Sequence, residues 1–102
     1  MRFKIRGEKI RGERGKLIVL IREFIRDAER EYEEQSKKFR MFNMPVIAFA
    51  YFEEDDGIVL ANSIRTPTFM KLFPKPIKTM ENNLKGFFKG KGLDVDVEYI
   101  GD

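Results

Sequence analysis

The chain has 102 residues, 42% of them apolar and 36% charged, and its 20 basic and 17 acidic side chains leave a net charge of +3. It contains no cysteine, so neither a disulfide framework nor a thiolate metal site is available, and it contains no histidine. The missing histidine removes the commonest general base, the commonest transition-metal ligand and the physiological pH switch together.

No apolar run reaches the roughly 18 residues of a membrane span, so no membrane partner is expected, and the charged start is unlike a signal peptide. A reducing, cytoplasmic setting is the expectation, with a single domain over residues 1–102. The charge is unevenly placed. Residues 1–16 carry seven bases against two acids, and residues 65–91 carry seven bases against Glu81 alone.

Met1, Phe3 and Ile5 alternate with Arg2, Lys4 and Arg6, the period of a strand. Gly7 to Lys16 reads as a charged, glycine-punctuated connection. Its Arg11-Gly12-Glu13-Arg14-Gly15-Lys16 stretch enters a helix N-terminus as a phosphate-holding loop would, yet it fits neither the Walker A nor the dinucleotide pattern. Leu17, Leu20, Ile21, Phe24, Ile25, Ala28 and Tyr32 then recur at helical spacing and predict an amphipathic helix over about residues 16–38. The Asn43-Met44-Pro45 stretch ends any helix.

Val46 to Phe52 is apolar on both parities, as in an interior or doubly covered strand. Glu53-Glu54-Asp55-Asp56-Gly57 is a solvated turn whose Asp-Gly supplies a left-handed position, and Ile58 to Ile64 is the return strand. Residues 65–76 hold Pro67, Pro74 and Pro76 and cannot be regular throughout. Ile77, Met80, Leu84, Phe87 and Phe88 mark a second, shorter helix stopped by Gly90-Lys91-Gly92. Leu93, Val95, Val97 and Tyr99 alternate with Asp94, Asp96 and Glu98 in a last strand.

The order β-α-β-β-α-β resembles the split-βαβ, ferredoxin-like arrangement: an α+β fold with a four-stranded antiparallel sheet, two helices on one face and strand order 4-1-3-2. At the level of pattern the chain divides into two similar βαβ halves, residues 1–54 and 55–102. In that arrangement Asp94, Asp96 and Glu98 would share the open face with Arg2, Lys4 and Arg6 of the adjacent strand, as opposite charges favour. Acylphosphatases share the element order and a phosphate-cradling loop. This chain has Arg11 and Arg14 near that place but lacks the Gly-x-Val-Gln-Gly-Val run, so that activity is not carried over. RNA-recognition domains share the order too, but the third strand here, Ile58 to Ile64, has no aromatic for base stacking.

Strands 2 and 3 leave one apolar parity in need of a cover, a patch seldom left bare. The expectation is therefore a non-enzymatic protein or peptide interaction module that needs no cofactor. It would use an apolar groove or sheet surface between the halves, built from Ile47, Phe49 and Tyr51 with Phe69, Met70 and Phe73. Edge-strand addition at residues 46–52 is one mode, and a second copy of the chain is among the partners that fit. The 69–73 stretch either folds back as a lid on the core or lines one wall of the groove. The alternative is a nucleic-acid accessory protein using basic segments 1–16 and 85–91, with Arg11, Arg14, Lys16, Lys85, Lys89 and Lys91 as phosphate contacts.

In size, Lys/Glu/Arg richness and missing Cys and His, the chain resembles the small orphan proteins of filamentous viruses that infect hyperthermophilic archaea. That resemblance implies an accessory or interaction role in the host cytoplasm.

Overall fold

The computed structural model describes residues 1–7, 10–38 and 47–102. The expected helix stop at Asn43–Pro45 and Val46, the expected first residue of the second strand, lie outside the described residues. The elements in chain order are β1 (Arg2–Arg6), α1 (Ile10–Lys38), β2 (Phe49–Glu54), β3 (Gly57–Asn62), α2 (Thr68–Leu72), α3 (Lys75–Gly90) and β4 (Asp96–Gly101). The four strands form one antiparallel sheet in the order β2-β3-β1-β4, which leaves β2 and β4 at the edges.

Alternation decides which face each strand buries. Phe3 and Ile5 stand opposite Leu60 and Ile58 of β3 on one side, and opposite Tyr99 and Val97 of β4 on the other. These side chains meet Leu17, Leu20 and Ile21 of α1 and Leu84 and Phe88 of α3 in a single core. Phe24 of α1 and Phe87 of α3 close the seam between the two helices edge to face, with ring centroids 5.4 Å apart.

The helical periodicity of α1 extends further than expected. The helix starts at Ile10, with non-helical backbone angles at Glu13, so the expected loop over residues 11–16 is helical. Gly12 and Gly15 do not stop the helix, because helix propensity is weak and tertiary contacts override it. Arg14 supplies the contact, donating from Nη2 to the carbonyl oxygens of Glu54 (2.8 Å) and Asp55 (3.1 Å) in the β2–β3 turn. That turn also differs from expectation, since Gly57 does not adopt a positive φ. Its lack of a side chain answers a steric need instead. A Cβ there would lie closer to the Ile5 carbonyl oxygen than the 3.0 Å that real contacts respect.

The proline-bracketed segment holds one short helix, α2, between Pro67 and Pro74. The second long helix, α3, forms as its periodicity predicts and ends with Gly92 at φ 81°. There the Gly92 N–H bonds the Lys89 carbonyl and the Leu93 N–H bonds the Phe88 carbonyl, at 3.0 and 2.9 Å. The last strand starts later than its alternation suggests, at Asp96, and runs to Gly101 past a register shift opposite Arg2/Phe3. Leu93 and Val95 are nonetheless buried, so alternation here marked burial and not ladder pairing.

Candidate interaction surface

The sheet face away from α1 and α3 carries charges that the alternation placed there; Arg6 and Glu98 pair across β1 and β4 as expected, while Lys4 and Asp96 choose other partners. Lys4 and Arg6 stand opposite Glu98 and Asp96 in register. Yet Lys4 Nζ reaches across β3 to Glu54 (2.7 Å) and Asp56 (2.8 Å) of the hairpin. Arg6 lies between Asp56 (3.7 Å) and Glu98 (3.6 Å), and Asp96 pairs with Lys85 of α3 at 3.9 Å. Hydrogen bonds to Asp56 and Glu54 raise the Lys4 pKa, and the Lys4 ammonium in turn lowers that of Asp56. Val59, in register with both Lys4 and Phe52, is only 4% exposed on this face.

Strand β2 divides by parity. Phe49 and Tyr51 are half-buried and line the helix side, while Ala48, Ala50 and Phe52 are exposed. Tyr51 is fastened to α1, its hydroxyl oxygen accepting from Arg22 Nε (3.1 Å) and Nη2 (2.9 Å). Between α1 and β2 lies an open slot of about 500 Å³ bordered by Arg22, Ile25, Arg26 and Glu29 on the helix and by Phe49 and Tyr51 on the strand. A second cavity, about 320 Å³, sits between α1 and α3 over the sheet, with Phe24, Phe49, Leu60, Met80 and Leu84 as its apolar walls and Asn62 and Asn83 as its polar groups. Phe49 borders both.

The outer edge of β2 is defined by its ladder. In an antiparallel pair, alternate residues turn their N–H and C=O toward the neighbour and the others turn theirs away. The Ser63 N–H donates to the Ala48 carbonyl at 3.0 Å, one step beyond the Phe49–Asn62 register pair. That bond puts residues 48, 50, 52 and 54 in the first set. The Asn62 N–H goes to the Met1 carbonyl at 2.9 Å, in agreement. The backbone groups of Phe49, Tyr51 and Glu53 therefore face outward, and no described strand pairs with them. The β2–β3 register runs from Phe49 to Glu54 without a bulge, and β2 contains no proline or lysine. Both edges carry exposed acids, Glu53 and Glu54 on β2 and Asp96 and Glu98 on β4, but only the β4 edge carries a register shift and a glycine at positive φ, Gly101 at 101°.

The six expected partner-binding residues do not gather in one groove. Ile47, Phe49 and Tyr51 are half-buried beside or within β2. Met70 turns inward against the core, whereas Phe69 and Phe73 stand 56% and 69% exposed on and just after α2 and border neither cavity. The expected phosphate contacts are also dispersed. The Arg11 side chain lies outside the described residues. Arg14 is engaged by the hairpin turn, Lys91 pairs with Glu23 at 3.2 Å, and Lys85 faces Asp96. Lys16 and Lys89 are exposed.

One polar cluster escaped the sequence reading, because nothing in its spacing joins residues so far apart. The buried Thr66 hydroxyl meets both the Tyr99 hydroxyl and the Asp102 carboxylate, and the Thr66 N–H donates to Asp102 as well. The Met1 amino group bonds the Asn62 carbonyl (3.1 Å) and the Ile64 carbonyl and lies 3.7 Å from Asp102. Hydrogen bonds from Thr66 lower the Asp102 pKa. These contacts tie the segment after β3 to both ends of the described chain.

Among the described residues no group of three or more His, Cys, Asp or Glu side chains is placed to hold a metal ion, and no helix is long and apolar enough to cross a membrane. Comparison with protein-family models, curated proteins and solved structures returns no match to this chain.

Proposed function

We propose that this chain is a non-enzymatic protein-interaction module on a ferredoxin-like split-βαβ scaffold, which takes an extended segment of a partner along the outer edge of β2. The strand order, read from the β4 edge as β4-β1-β3-β2, and the helices following β1 and preceding β4 support the scaffold assignment, with α2 as an added turn.

The observation that carries the functional reading is the β2 edge, which no described strand pairs with. Three outward-facing residues, Phe49, Tyr51 and Glu53, offer a regular ladder, and native proteins usually blunt such an edge with proline, lysine or a bulge. An added strand gains its affinity from main-chain hydrogen bonds and its selectivity from pockets that receive alternate side chains. The slot between α1 and β2 is the pocket on the helix side, with Arg22, Arg26 and Glu29 as its charged groups. On the open face, Phe52 at 57% exposure is the corresponding apolar contact.

A Glu53→Pro variant tests this directly. Glu53 directs its N–H outward, so proline removes an edge donor while leaving the β2–β3 ladder intact. Wild type and variant are compared by affinity capture and by light scattering for self-association. The reading expects a partner, or self-association, that the variant loses while its circular dichroism is unchanged. An identical set of captured proteins and an identical mass for both would overturn it.

A further inference from the structure

A second surface lies on and after α2 and has no part in strand addition. No residue of α2 is buried, and Phe69, Leu72 and Phe73 recur at i, i+3, i+4 with 56%, 72% and 69% of their surfaces exposed. Met70 alone turns inward to the core, and Pro67 and Pro74 bracket the turn. These three side chains project outward and border neither of the two cavities described above. In sequence the segment is basic, though the Asp102 carboxylate lies close enough to feel the Lys71 charge. No acidic residue occurs between Asp56 and Glu81, while Lys71, Lys75 and Lys78 do. The basic character continues along α3, where Lys75, Lys78 and Lys89 are exposed, off the face that buries Ile77, Leu84 and Phe88. Lys75, Lys78 and Lys89 have no ion-pair partner among the described residues.

We propose that α2 and the first turns of α3 form a docking surface for an anionic lipid bilayer. Phe69, Leu72 and Phe73 enter the boundary between headgroups and acyl chains, and Lys75 and Lys78 meet the lipid phosphates. Exposed apolar side chains beside unpaired lysines are the composition that binds such an interface. Nucleic acid shares the phosphates but offers nothing to Leu72, the most exposed of the three. A folded protein partner would need a cavity shaped for a projecting ridge, whereas a fluid bilayer needs none. The surface requires no spanning segment.

The experiment is co-sedimentation of the full chain with vesicles of phosphatidylcholine alone and of phosphatidylcholine mixed with phosphatidylglycerol. Binding is expected only to the anionic vesicles, weakening as salt rises. Phe69→Ser/Leu72→Ser/Phe73→Ser and Lys75→Glu/Lys78→Glu are each expected to lower it at least tenfold with circular dichroism unchanged. The chain has no tryptophan, so Phe73→Trp supplies a single reporter whose emission should shift to the blue on anionic vesicles. Failure to sediment, equal binding to neutral vesicles, or full binding by the triple serine variant overturns the proposal. So does binding of duplex DNA or single-stranded RNA that the Lys75/Lys78 variant loses while vesicles go unbound. Glu53→Pro is expected to leave vesicle binding unchanged, so this surface and the β2 edge stand or fall separately.

Discussion

Replacing Gly57 by alanine adds one methyl group where the β3 backbone passes β1. The new Cβ falls inside 3.0 Å of the Ile5 carbonyl oxygen and 3.3 Å from its carbon, and both belong to backbone that cannot swing aside. Relief requires the β1–β3 pair to separate next to Ile5 and Ile58, which are register partners and fully buried. Overpacking of this kind costs about 1–3 kcal/mol. Against it stands the entropy that alanine removes from the unfolded chain, roughly 0.4–1 kcal/mol in favour of the variant. The net is a loss of about 1–2 kcal/mol, and at roughly 4–8 °C per kcal/mol for a domain of this size the melting temperature should fall by about 5–15 °C. Gly86 is the internal control. It lies exposed within α3 with nothing within 4 Å of an added Cβ, so Gly86→Ala should stabilise by about 0.5–1 kcal/mol. Urea denaturation of the three proteins, compared at equal m, reads both signs. A Gly57→Ala variant as stable as wild type, or shifted like Gly86→Ala, would refute the steric argument.

Phe88 is fully buried where α3 meets the core, and Phe88→Ala should cost about 3–5 kcal/mol in the same titration. Stability should also depend on pH through the Lys4–Asp56 pair. The lowered Asp56 pKa means its contribution is complete at neutral pH and fades as pH falls below about 4 toward the folded value. The raised Lys4 pKa means its contribution holds below about pH 10.4 and fades as pH climbs through the folded value. Asp56→Asn should flatten both limbs of a melting temperature–pH profile relative to wild type. Asp102, lowered by Thr66, adds to the acid limb alone, so Thr66→Val should shrink that limb and leave the alkaline one.

Periodicity carried much of the fold. The alternation of Phe3 and Ile5, the 3.6-residue recurrence from Leu17 to Ile25 and the Ile77–Phe88 stripe mark buried faces that exist, and four antiparallel strands with flanking helices follow from them. What spacing could not convey is the choice a side chain makes among several partners in reach. Lys4 had Glu98 directly opposite and turned to Glu54 and Asp56, because a two-carboxylate site holds an ammonium better than one. Arg14 read as part of a glycine loop because its partners are carbonyl oxygens 40 residues away, which no composition reports. Prolines hid α2, since a single turn between two of them has the composition of a loop. The candidate site shows the same division. The apolar double parity of residues 47–52 was visible, but which parity the helices take, and which amides face outward, depend on the ladder with β3.

The most direct test of the proposed function is amide hydrogen exchange, residue by residue, on the chain alone and bound to a protein or second copy it captures. In the free chain the amides of Phe49, Tyr51 and Glu53 should exchange rapidly while those of Ala50 and Phe52, bonded to β3, stay protected. In the complex the outward three should become protected together. If they stay fast while protection appears elsewhere, β2 is not where partners add.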